Sequence, residues 1–483
     1  MTNTVRNQAT TTDPQPYRWR WLALAAVLTA EIMDLLDATV VGVAAPSIQA
    51  DLGGDSTVLQ WIAAGYTLAF AVGLITGGRL GDLYGRRRMF LVGLVGFVAA
   101  SALCGLAASP EMLVASRVAQ GLFGAVLIPQ GFGVIKSMFP PRELGTAFST
   151  FGPAIALAAV AGPILGGALI AWDLGGVGWR TIFLVNVPIG LACLALAAKV
   201  MPESRADDGP RPDPVGMLLV STGLVLLIFP LVQGRELGWP GWVFAMMAAS
   251  VPVLVLFALH QVRRRAAGRA PLVEPALFRT RAFTAGLVVG LVFFAGMTGL
   301  VFALGLYLQI ALGFSALAAG LTQAPWALGT AAGAIAGGAG LGRRFGRTLM
   351  QAGAVVMALG IGVVALALAL TGGGAVSGWH LAPGLALCGI GMGLLITQFF
   401  EIVLAGVSLP MVGSASGVLN ANQQLGSAAG VAVLGTVFFT MFEAGDSLGA
   451  MQTVLGWTVA LVLLSGALAG ALPRHARAED APG

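Results

Sequence analysis

The chain has 483 residues, of which 57% are hydrophobic and only 10% charged, where soluble domains carry roughly 25% charged residues. A soluble enzyme is excluded by that balance. The net charge of +5 is not a nucleic-acid footprint either, because the basic residues fall in short connections between apolar runs.

The apolar runs are long enough to cross a hydrocarbon core of about 30 Å as helices, the only open-ended element that lipid tolerates. Fourteen are expected, at 20–44, 57–79, 87–108, 112–136, 146–171, 181–200, 214–233, 242–260, 283–309, 315–341, 349–371, 380–405, 414–440 and 452–472. The fold class is therefore all-α integral membrane. The first run is too long and too acidic to be the core of a cleavable signal peptide, so it is read as a retained span. Cys104, Cys193 and Cys388 lie within runs, which suggests neither a disulfide framework nor a metal site.

Positive charge alternates between connections. Arg6, Arg18 and Arg20 precede the first run, Arg79 and Arg86–Arg88 follow the second, and Lys136 and Arg142 the fourth. Lys199, Arg205 and Arg211 follow the sixth, six arginines from Arg263 to Arg281 the eighth, Arg343, Arg344 and Arg347 the tenth, and Arg474 and Arg477 the last. Only Arg180 and Arg235 fall on the other side, with Arg117 inside a run. Cytoplasmic connections are enriched in positive charge, so both termini are expected on the cytoplasmic side of a bacterial-type inner membrane.

The stretch Arg79-Leu80-Gly81-Asp82-Leu83-Tyr84-Gly85-Arg86 returns in weakened form at Gly340-Leu341-Gly342-Arg343-Arg344-Phe345-Gly346-Arg347, 261 residues later. That shift relates run one to run nine and run four to run twelve. The expected organisation is a tail at 1–19, a six-helix bundle at 20–200, a linker with two inserted helices at 201–280, a second bundle at 281–472 and a tail at 473–483. Parallel repeats of this kind are a transporter design with the site at mid-membrane between the halves.

Run one holds Glu31, Asp34 and Asp37. One ionised acid at the centre of a lone span costs about 2.5–3.5 kcal/mol, so these three must face something polar or carry protons. Their spacing sets them about 60° apart on one helix face. Crowded, poorly hydrated carboxylates repel one another, which favours uptake of a proton. Arg117 in run four is the expected partner for proton coupling, and a static structural ion pair is the alternative. Glu401 is the other deeply placed acid. Neither lysine follows a glycine, so no nucleotide loop is present and the energy source is expected to be a proton gradient without any cofactor.

Gly78-Arg79-Leu80-Gly81-Asp82-Leu83-Tyr84-Gly85-Arg86-Arg87-Arg88 resembles the signature between helices two and three of the major facilitator superfamily. Asp37-Ala38-Thr39-Val40-Val41-Gly42 and Arg117-Val118-Ala119-Gln120-Gly121 resemble its helix-one and helix-four motifs, and Gly162-Pro163-Ile164-Leu165-Gly166-Gly167 its antiporter motif. Trp179 to Gly190 and Leu419-Asn420-Ala421-Asn422-Gln423-Gln424 are similar to stretches of the fourteen-helix drug:proton antiporters of the QacA and EmrB type. The resemblance covers Trp21 to Leu472, with Gly42 standing where that branch has asparagine.

It implies proton coupling through Asp37, Asp34, Glu31 and Arg117, and a conformational latch at Gly78, Asp82, Gly85, Arg86 and Arg87. It further implies an antiporter element at Gly162, Pro163, Gly166 and Gly167. Glu31, Asp34, Gln120, Glu401, Asn420 and Gln424 are expected to line the substrate cavity. The expected function is proton-coupled efflux of amphipathic drugs or antibiotics, cationic ones among them, by a protein that is not an enzyme. Its partners would be the small-molecule substrate, protons and the bilayer, with no nucleic acid, nucleotide or metal. The alternatives are an exporter of one endogenous metabolite, a proton-coupled importer, and, in other classes, a lipid scramblase or a non-transporting sensor.

Overall fold

The computed structural model describes residues 17–475 apart from 54–55, 141–142, 151–157, 159–161, 163–164, 171, 173–175, 205–212, 236, 373–375 and 409–410. Pro163, Arg6, Arg142, Arg205, Arg211, Arg477 and much of the fifth run lie outside the described residues. Every regular element among the described residues is helical.

The first half of the chain forms α1 (Arg20–Leu52), α2 (Ser56–Tyr84), α3 (Arg86–Gly105), α4 (Pro110–Met138) and the short α5 (Leu144–Ser149). Two consecutive pieces follow, α6 (Thr181–Leu184) and α7 (Asn186–Val200). Next come α8 (Pro214–Gln233) and α9 (Gly241–Ala266), then α10 (Arg281–Leu306), α11 (Ala316–Ala336), α12 (Gly342–Phe345), α13 (Arg347–Thr371), α14 (Gly378–Ala405), α15 (Val412–Glu443) and α16 (Ser447–Leu468).

Local chemistry explains several starts. Ser109 accepts from the Met112 amide with Pro110 at the first helical position, and Ser315, Asp213 and Asp446 cap α11, α8 and α16 in the same way. Among the described residues ten helices are long and apolar enough to cross a membrane. The acid-bearing α1, with 33 residues, α2 with 29 and α11 with 21 are of comparable length but fall outside those ten. Both α1 and α2 continue well past their apolar runs, because intrahelical hydrogen bonds do not stop where the hydrocarbon does.

The helices α1 to α4 and α7 pack on one another, as do α10, α11 and α13 to α16, while the pair α8 and α9 leans on α2 and α15 from outside. Apolar helices associate in lipid through close fit as well as interhelical hydrogen bonds, and small residues supply the fit. Between α11 and α14 a methyl group on Gly333 would sit 2.2 Å from the Ile390 carbonyl oxygen, and one on Gly393 would sit 2.2 Å from that of Thr330. Cys104, Cys193 and Cys388 are buried and free.

The two motif copies share several backbone features, although the second is entered through a π-helical kink at Gly337–Leu341 where the first is unbroken α-helix. Gly85 and Gly346 both have positive φ, of 99° and 52°, which places the next helix start beside the end of its bundle. There the Arg86 amide donates to Ser204 O at 2.8 Å and the Arg347 amide to Arg474 O at 2.9 Å. An amide side chain lies over the equivalent glycine of each copy, Gln130 over Gly81 and Gln398 over Gly342. The end of the molecule that holds Arg20, Arg86 and Arg264 is called the basic face below.

Gly333→Leu should force α11 and α14 apart. Overpacking costs about 1–3 kcal/mol, so the detergent-solubilised variant should melt several degrees below the parent, whereas Gly362→Ala, whose added carbon meets nothing within 4 Å, should melt with it.

Candidate functional site

Asp37 sits midway along α1, about 25 Å from its first residue at 1.5 Å per residue. It is 1% exposed, as is Arg117 on α4. Burying two ions costs several kcal/mol for each unless their remaining hydrogen-bonding capacity is filled, and here it is. Arg117 Nη1 donates to Asp37 Oδ2 and to Gln120 Oε1 at 2.8 Å. Gln120 Nε2 donates to Asp37 Oδ1 at 2.9 Å and Asn186 Nδ2 donates to the same oxygen at 3.1 Å. The carboxylate thus takes three donors from two helices, α4 and α7.

Arg117 and Gln120 share a helix face at a spacing of three. Arg117 also donates through Nε to Ile62 O at 3.1 Å, and its guanidinium lies 4.1 Å from the centre of the Tyr66 ring. Ser101 orients the last partner, accepting from Asn186 at 3.0 Å and donating to Phe183 O at 3.0 Å. A small apolar cluster that includes Val40, Ala44, Ile62, Trp179 and Phe183 closes the network from the face opposite the basic one.

The Tyr66 hydroxyl donates to Asp34 Oδ1, so the second acid joins the network through one phenol. Asp34 is buried and Glu31 only partly so. The three acids share one side of α1 in different surroundings: Asp37 is saturated by donors, Asp34 is held by a hydroxyl, and Glu31 is only partly buried.

At the basic face the latch residues converge. Asp82, fully buried, accepts from Arg86 Nη2 at 2.9 Å, from Arg79 Nη1 at 3.5 Å and from the Ser414 amide at 3.2 Å. That last bond joins α2 to the first turn of α15, where unsatisfied amides favour a carboxylate. Gly78 allows the same approach: a methyl there would lie 2.3 Å from Gly413 O. Gly85 lies against Glu203, whose carboxylate takes the Arg87 amide at 3.2 Å. Three more bonds link the halves nearby, Lys136 Nζ to Val407 O and, at 2.7 Å, to Leu404 O, and Ser416 Oγ to Pro129 O at 3.1 Å. The direct polar contacts between the halves that the described residues show lie at this face.

Other expected residues fall elsewhere. Gln120, expected in the substrate cavity, is fully buried with its amide engaged by Asp37 and Arg117, so it belongs to the ion-pair network. Glu401 lies near the end of α14 beside Gly145, at the basic face. Asn420 and Gln424 are partly buried on α15, where Asn420 bonds Ser416 O at 3.0 Å. Gly162 is buried, Gly166 lets its segment approach Val40 of α1, and Gly167 has open space around it. Tyr66, Ser101, Asn186 and Ser414 had no motif to announce them, although Asn186 lies inside the stretch Trp179 to Gly190.

A family model described as Major Facilitator Superfamily matches residues 27–431. The chain is similar to a "Probable actinorhodin transporter" of Streptomyces coelicolor, 55% identical over 430 residues that cover 89% of this chain and 74% of the relative. It is 36% identical over 467 residues to the puromycin resistance protein pur8 of Streptomyces alboniger, covering 94% of this chain and 90% of the other. Among solved structures it shares its fold with the human organic anion transporter MFSD10 (TETRAN) at a TM-score of 0.66 and 17% identity, with 93% of this chain and 99% of that chain covered.

Arg117→Leu leaves Asp37 buried without its ion partner, a loss of about 3–5 kcal/mol. The single variant should show a clearly lowered melting temperature, and adding Asp37→Asn should restore much of it; equal losses that simply add would mean the two side chains do not act as a pair.

Proposed function

The chain belongs to the major facilitator superfamily, and on that premise we propose that it is a proton-driven exporter of amphipathic antibiotics or drugs, working by alternating access. A multi-pass membrane transporter, not an enzyme, is what the family and its relatives establish. The finer assignment, fourteen spanning helices of the QacA and EmrB branch with both termini cytoplasmic, is supported by the lengths of α1, α2 and α11, and by the basic residues gathered at one face.

The observation that carries the coupling step is the buried pair of Asp37 and Arg117, made within one bundle. A proton arriving on Asp37 cancels its charge and leaves Arg117 without a counter-ion in a low-dielectric site. The nearest negative charge then lies across the Tyr66 ring at Asp34, so the guanidinium is drawn from one carboxyl toward the other. That shift repositions α4 against α1. The seating of Asp82 on α15 supports reading this arrangement as one closed at the basic face, the side taken here as cytoplasmic. Proton loss and substrate binding would favour opposite states, which is all that exchange requires.

Substrate is taken between the bundles. Apolar walls accept varied shapes, and the acids Glu31 and Asp34 of α1, with Glu401 near the basic face, favour positive charge. The proton gradient supplies the energy without a cofactor. Export of a single metabolite is the second reading, favoured by relatives named for one compound each, actinorhodin and puromycin.

Purified protein in vesicles loaded at acid pH should release protons when puromycin, actinorhodin or a cationic dye is added outside, as followed with an internal pH dye. Asp37→Asn should reduce release to the rate of empty vesicles. Arg117→Lys should do nearly the same, because a point charge cannot reproduce the forked contact. Transport that proceeds while the gradient stays intact would overturn antiport, and response to one compound alone would select the dedicated exporter.

A further inference from the structure

The inserted pair α8 and α9 has no counterpart in the two-bundle repeat, yet its basic-face end is wired into the latch. Asp213, which caps α8, accepts from the Gly216 amide at 3.0 Å, from His260 Nε2 at 2.9 Å and from Gln261 Nε2 at 3.0 Å, with Arg264 Nε at 3.6 Å. Burial pushes the Asp213 carboxyl up, but these donors together hold it below the usual carboxylate range. It is thereby a fixed anchor for the end of α9.

Gln261 carries the connection onward. It is 3% exposed, and while its nitrogen bonds Asp213 its oxygen accepts from two successive amides, Leu272 at 2.6 Å and Val273 at 3.3 Å. Those amides open a strap at 270–279, on which Leu272, Val273 and Leu277 are buried. The strap then grips the residue that seats Asp82. Ser414 Oγ donates to Leu272 O at 3.3 Å and accepts from the Glu274 amide at 3.4 Å, while the Ser414 amide donates to Asp82.

We propose that Gln261 is a positioning residue for the latch: by fixing the strap it holds Ser414 where its amide meets Asp82, so that the inserted helix pair favours the state closed at the basic face. The physical reason is that the start of α15 is a helix terminus with unfilled donors, free to shift by a fraction of a turn unless a side chain is held. The hydroxyl of Ser414 is clamped on both its donor and acceptor sides by backbone whose own register Gln261 sets. Moving into the open state must break the bond to Asp82, and the strap makes that break cost more.

The inference rests on the alternating-access part of the reading above, and its test needs no substrate. Spin labels on Arg88→Cys and Thr348→Cys, both exposed at the basic face, report the distance between the halves by pulsed electron resonance in the otherwise intact chain. Gln261→Leu should raise the ratio of open to closed molecules about tenfold, the effect of one or two net hydrogen bonds. Ser414→Ala, which keeps the amide and loses the hydroxyl, should shift it in the same direction by less. In an Asp82→Ala background, where the acceptor of the Ser414 amide is gone, Gln261→Leu should add nothing. An unchanged distribution for Gln261→Leu and Ser414→Ala alongside a shifted one for Asp82→Ala would overturn the proposal and leave the exporter reading standing. So would an equal shift from Gln261→Leu with and without Asp82. If Asp82→Ala itself leaves a single distance, alternating access fails and the proposal with it.

Discussion

A charge buried in a low-dielectric medium has to be matched, and nearly every specific feature of this protein follows from that constraint. Apolar runs give helices and lipid gives them no reason to choose neighbours. The choice is made by a few polar side chains whose desolvation is tolerable in one arrangement only. Asp37 needs Arg117, Gln120 and Asn186 at once, so α1, α4 and α7 have one mutual register.

The two motif copies illustrate how a repeat is turned into a device. Both have a left-handed glycine, both start the following helix against the chain that leaves the bundle, and both place an amide over the middle glycine. Only the first has an acid at the fourth position, Asp82, where the second has Arg343. One copy can therefore accept the amide of Ser414 on the other half, while Arg347 of the second bonds Gly470 O and Leu472 O of its own bundle. A difference of charge on a repeated turn thus yields a contact between the halves that only the first copy can make.

Much of the fold and part of the site were legible before any coordinates. Lipid imposes the helix as the element, so runs of apolar residues announced it. Asp37 and Arg117 were legible because charge is so costly in such runs that its presence demands a partner, and each half has few partners to offer. Tyr66, Ser101 and Asn186 were not, since a hydroxyl or an amide costs less to bury and so stands out less from its neighbours. Gln120 was named but assigned to a cavity, because a motif resemblance does not say which neighbour its side chain meets.

The amino-acid order by itself determined a helical membrane protein with an internal repeat, one acidic helix face and a buried arginine, since each is a matter of local composition or of fixed helical spacing. What only the tertiary structure decided is which donors reach which carboxylate: Asn186 on Asp37 across 149 residues, Ser414 on Asp82 across 332, and the strap that joins Gln261 to Ser414. Contacts at such separations depend on how whole helices cross, and crossing is set by the fit of small residues on facing helices, which no single stretch of the chain contains.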